Sequence, residues 1–175
     1  MQLFIKSVAA VSRACGVIAA VLVLLAILVV CQMVVMRYFL NASTIWQTEF
    51  VIFSLVAATF MGSPYVLLIK GHVNVDLLPH YLGNRGRHLL ALIASSGGLL
   101  FCLVLTWTGY ELFVEALQGG WTTDTVWALP LWIPYLPIPV GIGILSLQYV
   151  ADILALVTGH SMPFAMQAHN PYEGE

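Results

Sequence analysis

The chain has 175 residues, 61% of them hydrophobic and 8% charged, with a formal net charge of -2. An ordinary soluble domain carries about 25% charged residues, so the composition excludes a water-soluble fold. The weak negative charge gives no electrostatic handle for nucleic acid.

In chain order, Lys6 and Arg13 precede a charge-free run of 23 residues from Ala14 to Met36. A signal-peptide core is only about 7 to 15 residues and ends in a small-residue cleavage pattern. No such pattern follows here, and Val30 is too bulky for the position before a lipidated Cys31, so residues 14–36 read as a retained first transmembrane helix. The chain turns within Asn41 to Ser43, and Thr44 with Gln47 has capping-box spacing, which starts a second helix over 45–69. Residues 70–87 mix charges with Val73, Val75, Leu77, Leu78, Tyr81 and Leu82, a composition suited to the membrane surface, and Pro79 opposes a long helix there. A third helix is expected over 88–116.

The last apolar segment, assigned to 131–158, opens with Pro130, Pro134, Pro137 and Pro139, each lacking an N–H. Its regular part is expected from near Pro139, with the preceding Pro/Trp stretch resting at the interface, and the tail over 160–175 is polar. A hydrocarbon core about 30 Å thick takes roughly 20 helical residues, because lipid cannot satisfy open backbone groups. The expected fold is an all-α integral membrane protein with four transmembrane helices, a short interfacial segment between helices two and three, and one membrane domain over 1–175, without repeats.

Lys6, Arg13, Lys70, Arg85 and Arg87 fall on one side of these spans and Arg37 on the other. Basic residues stay preferentially in the cytoplasm, so both termini are expected there. Lys70, Arg85 and Arg87 are candidates for lipid headgroups. Trp46, Trp107, Trp121, Trp127 and Trp132 lie toward the outer ends, where indole favours the headgroup region.

Ionisable residues in a membrane are functional candidates by default. Arg37 and Glu49 flank the first turn at similar depth, either as an ion pair fastening the hairpin or as a contact for another subunit. Glu111 and Glu115, spaced i, i+4, join Asp124 and Trp121 in an acidic outer surface, either simply solvated or a docking site for an extracytoplasmic protein. Ala94, Ser95, Ser96, Gly97 and Gly98 form a small-residue patch for close helix approach. The 3 cysteines lie in apolar runs as buried thiols, and the 5 histidines lie in or beside cytoplasmic segments, which gives neither a metal site nor a haem anchor. No nucleophile–base pair, phosphate loop or midplane carboxylate pair is present, so neither an enzyme nor a self-contained transporter is indicated, and no cofactor is expected.

Three blocks carry a resemblance. Arg37-Tyr38-Phe39-Leu40, a turn and Trp46-Gln47-Thr48-Glu49-Phe50 form the first. Gly62 followed by Lys70-Gly71-His72-Val73-Asn74-Val75-Asp76-Leu77-Leu78 is the second, and Pro130-Leu131-Trp132-Ile133-Pro134-Tyr135 to Pro139 is the third. In this order the chain resembles the DctQ-like small membrane subunit of tripartite ATP-independent periplasmic (TRAP) transporters, with Thr48 in place of a first acidic residue.

The resemblance implies a scaffold in the bacterial inner membrane. It would support a large multi-helix subunit that moves solute and sodium, and help a periplasmic substrate-binding protein dock for uptake of an organic acid or similar solute. Arg37, Trp46 and Glu49 match the family's recurrent positions as assembly contacts. Two rivals, a homodimeric small multidrug exporter and a four-helix membrane enzyme, lack respectively a helix-one carboxylate and a convincing cofactor site.

Overall fold

A computed structural model describes residues 2–69 and 84–157, with the backbone alone at 2, 84, 85, 87 and 88. The helices are α1 (Gln2–Phe39), α2 (Ile45–Leu68), α3 (Asn84–Gly119), the short α4 (Trp132–Tyr135) and α5 (Pro137–Val157). Four stretches, Leu3–Phe39, Ile45–Leu68, Leu89–Gly119 and Trp132–Val157, are long and apolar enough to cross a membrane. Among the described residues there is no sheet, only an isolated bridge between Thr122 and Pro130. Lys70, His72, His80, most of the expected interfacial segment and the tail lie outside the described residues. Arg85, Arg87 and His88 enter as backbone of α3.

The elements run longer than the charge-free stretches that announce them. Residues 2–13 contain neither Gly nor Pro and are rich in good helix formers, so α1 begins well before the expected residue 14. α3 likewise continues to Gly119, past Glu115. α5 begins at Pro137 rather than near Pro139, because the first-turn N–H groups of a helix have no partner to lose. The Pro/Trp stretch before it is itself a helical turn, in which Leu136 N donates to Trp132 O at 3.1 Å.

α5 is the hub. It packs on α1, α2 and α3, whereas among the described helices α3 touches only α4 and α5 and does not pack on α1 or α2. Cys102, Ile142 and Leu145 form a buried cluster against Phe60, Leu67, Leu105, Ile138 and Tyr149. Cys15 is buried too, but Cys31 faces outward, against the expectation of three buried thiols.

One contact explains how α2 and α5 approach so closely. Pro64 lies inside α2 and cannot donate to the carbonyl of Phe60, four residues earlier. That freed oxygen faces Gly141 of α5, where any side chain would run into it. On α2 the hydroxyls of Thr59 and Ser63 bond back to Leu55 O and Thr59 O, each at 2.8 Å, a pattern that often bends helices.

About two turns further along α5, Ser12 of α1, fully buried, donates to Gln148 Oε1 at 3.0 Å, and Gln148 Nε2 donates to Asp152 Oδ1 at 3.0 Å. In a low-dielectric interior such groups must be paired, and here the pairing ties α1 to α5. The small-residue patch divides: Gly98 gives room to the Tyr149 ring, while Gly97 faces open space.

Candidate functional site

The α1–α2 turn and the loop over 120–131 share one end of the bundle. Asn41 takes φ 47°, a left-handed conformation that Asn tolerates, and Ala42 N returns to Met36 O at 3.3 Å. Thr44 occupies the N-cap of α2, but no side chain caps the helix. The expected capping box does not form; Thr44 Oγ1 accepts instead from Arg37 Nη2 at 2.8 Å. Gln47 instead turns inward, 1% exposed, with Oε1 lacking a partner.

Arg37 and Glu49 do not pair with each other. Glu49 Oε2 accepts from Thr123 Oγ1 at 3.2 Å, across to the outer loop. Trp46, one turn earlier on α2, meets Trp127 of the same loop edge to face, with ring centroids 6.4 Å apart. Two sets of residues that the sequence leaves separate, Arg37/Trp46/Glu49 and Trp121/Asp124, are thereby joined on one surface through Thr123 and Trp127.

The loop is built to hold this position. Gly120, at φ 61°, ends α3 in the conformation glycine favours after a helix. Trp121 N then bonds Ala116 O at 3.2 Å, and its indole folds over Gly119, where a side chain would collide with it. Thr123 N donates to Leu129 O at 3.0 Å, Leu129 N returns to Thr123 Oγ1 at 3.1 Å, and Leu131 N donates to Trp121 O at 2.8 Å. Thr123 is the node: its hydroxyl serves both the loop's own closure and the tether to Glu49. The tip, Thr125 to Ala128, closes by Ala128 N to Thr125 O at 3.0 Å and leaves Val126 91% exposed.

Around this loop Glu111, Glu115 and Asp124 are all exposed. Glu111 Oε1 accepts from Trp107 Nε1 at 2.9 Å, so the indole orients one carboxylate while Glu115 stands one turn further on. Acid side chains beside an exposed apolar tip suit recognition of a basic surface rather than bond-making chemistry. Sequence reasoning passed over Thr123 as a site residue; its contact with Glu49 spans 74 positions, and no local pattern marks such a partner.

Residues 26–159 match the family described as tripartite ATP-independent periplasmic transporters, DctQ component. The chain is 25% identical over 148 residues to the C4-dicarboxylate TRAP transporter small permease protein DctQ of Vibrio cholerae serotype O1, covering 72% of this chain and 63% of that protein. It is 24% identical over 125 residues to the protein of the same description from Rhodobacter capsulatus, covering 71% and 55%. With the isethionate TRAP transporter permease protein DctMQ of Oleidesulfovibrio alaskensis it shares 22% identity over 116 residues, 66% of this chain but 18% of that one. The chain thus spans less than two thirds of the length of these curated relatives. No solved structure matches it.

Proposed function

The chain belongs to the DctQ-component family of tripartite ATP-independent periplasmic transporters, and from that premise we propose that it is the scaffold beside a larger, solute-translocating membrane subunit, with an outer surface that helps a periplasmic substrate-binding protein to dock. It is a multi-pass membrane subunit of a transporter and not an enzyme. In this reading the large subunit carries solute and sodium, and the solute is a small organic acid. The relatives described for C4-dicarboxylate and isethionate favour that class. A match that takes up only 18% of a DctMQ permease fits a small part placed beside a much bigger one.

The observation that carries the reading is the braced outer loop. Trp46 and Glu49 fix Trp127 and Thr123, so the loop offers Val126, Asp124 and the nearby acids as a preformed surface. Preorganisation reduces the ordering cost of association. The orientation follows the basic residues, with Lys6 and Arg13 on the cytoplasmic side and the loop on the periplasmic side. Trp46 and Glu49 act on assembly from the outer end through the loop they hold, and Arg37 holds Thr44 at the base of that end.

The test is purification of the tagged chain from native membranes in mild detergent, with mass spectrometry of co-purifying proteins. A large polytopic permease in about equal amount is the expected result, whereas a chain that purifies alone and itself exports drugs from liposomes would overturn the reading.

A further inference from the structure

Arg37 borders an open depression of about 290 Å³ at the mouth of the α1–α2 hairpin, lined also by Ala42, Ser43, Thr44, Ile45 and Thr48. A guanidinium carries five N–H donors, and its hydrogen bond in the structure is the one to Thr44. The nearest acid along the chain, Glu49, is committed to Thr123 instead. The depression is therefore electropositive, and a second source of donors opens into the same region. α2 starts at Ile45 with no side-chain cap and no acidic residue in its first turn, which leaves first-turn N–H groups and the positive end of the helix dipole for an anion.

Depth and shape narrow the anion. The charge-free run of α1 ends at Met36, one residue before Arg37, which sets the guanidinium at the edge of the hydrocarbon, where lipid phosphates lie. Ile45, 42% exposed, gives the depression an apolar wall. A free inorganic anion has no use for that wall, whereas a phospholipid satisfies both parts at once.

We propose that this depression binds the phosphodiester of a membrane phospholipid, with Arg37 and the first turn of α2 on the phosphate and an acyl chain against Ile45. The site goes beyond the scaffold role and does not depend on it. It requires only that the hairpin sit in a bilayer.

The experiment is native mass spectrometry of the full purified chain, titrated with phosphatidylglycerol, phosphatidylethanolamine, phosphate-free diacylglycerol and inorganic phosphate. Both phospholipids are expected to be retained and diacylglycerol lost. Arg37→Gln is expected to weaken retention roughly tenfold, in line with a charge-assisted hydrogen bond, and Arg37→Lys to recover part of it. Lys6→Gln, which removes the same charge at the far end of α1, is expected to leave retention unchanged, and circular dichroism of each variant checks the fold. Equal retention by Arg37→Gln, equal retention of diacylglycerol, or displacement of the lipid by equimolar inorganic phosphate would each overturn the proposal. So would loss of a co-purifying protein on Arg37→Gln with lipid retention intact, since the guanidinium would then serve a protein carboxylate.

Discussion

Replacing Gly141 by Ala puts a methyl group against the Phe60 carbonyl, and neither partner can rotate away because one is backbone and the other a Cβ. Overpacking of this kind costs about 1–3 kcal/mol, and unfolding in detergent should register that loss. Gly97→Ala, with nothing within 4 Å of the new atom, should cost less than about 0.5 kcal/mol. Gln148→Leu would keep the volume but strand the buried Ser12 hydroxyl and remove a donor from Asp152. Interhelical hydrogen bonds in membranes are worth about 0.6 kcal/mol on average and under about 2 at most, so this variant should unfold earlier by an amount in that range. Sequence alone could flag the Phe60 carbonyl, four residues before Pro64, as lacking its helix donor. It could not say that Gly141 would meet it, because that pairing is decided by how two helices cross.

The braced loop and the hairpin turn are where local sequence rules give way to longer contacts. Thr44 and Gln47 have the spacing of a capping box, yet the Thr44 hydroxyl meets Arg37 and Gln47 is folded inward. The spans themselves were readable because the absence of charge over about twenty residues leaves a helix few alternatives in lipid. Their ends were not, because helix formers carry α1 and α3 beyond the apolar stretch. Thr123 tests the loop as an element. Thr123→Val retains the shape but leaves Leu129 N–H without its acceptor and Glu49 without its donor. An unsatisfied group costs about 1–3 kcal/mol, so hydrogen exchange of the Leu129 amide should accelerate roughly tenfold or more while the amides of α5 keep their rates. Unchanged exchange at Leu129 would mean that the backbone bonds of the loop and the Trp46–Trp127 contact hold it without the Thr123 hydroxyl.

For the whole molecule, the docking role proposed for the acidic outer surface is tested in proteoliposomes that combine this chain with the large permease subunit the proposal requires. Glu111→Gln, Glu115→Gln and Asp124→Asn together should lower uptake at limiting binding-protein concentration by roughly tenfold at low salt, with a smaller effect as salt screens the attraction. Saturating binding protein should restore the rate if, as proposed, this chain only helps it to dock. The packing order of the helices also bears on how the molecule is made. α1 and α2 can join as soon as both have left the ribosome, but among the described helices α3 touches only α4 and α5, which follow it in the chain. At about 5–20 residues per second, the wait between the end of α3 at Gly119 and the end of α5 at Val157 is on the order of 2–8 s. Throughout it α3 must hold its place among lipids without α5, the long helix it packs on among the described residues. Leu89–Gly119 is long and apolar enough to span alone, so a chain truncated after Gly120 and released from the ribosome should already carry α3 fully inserted.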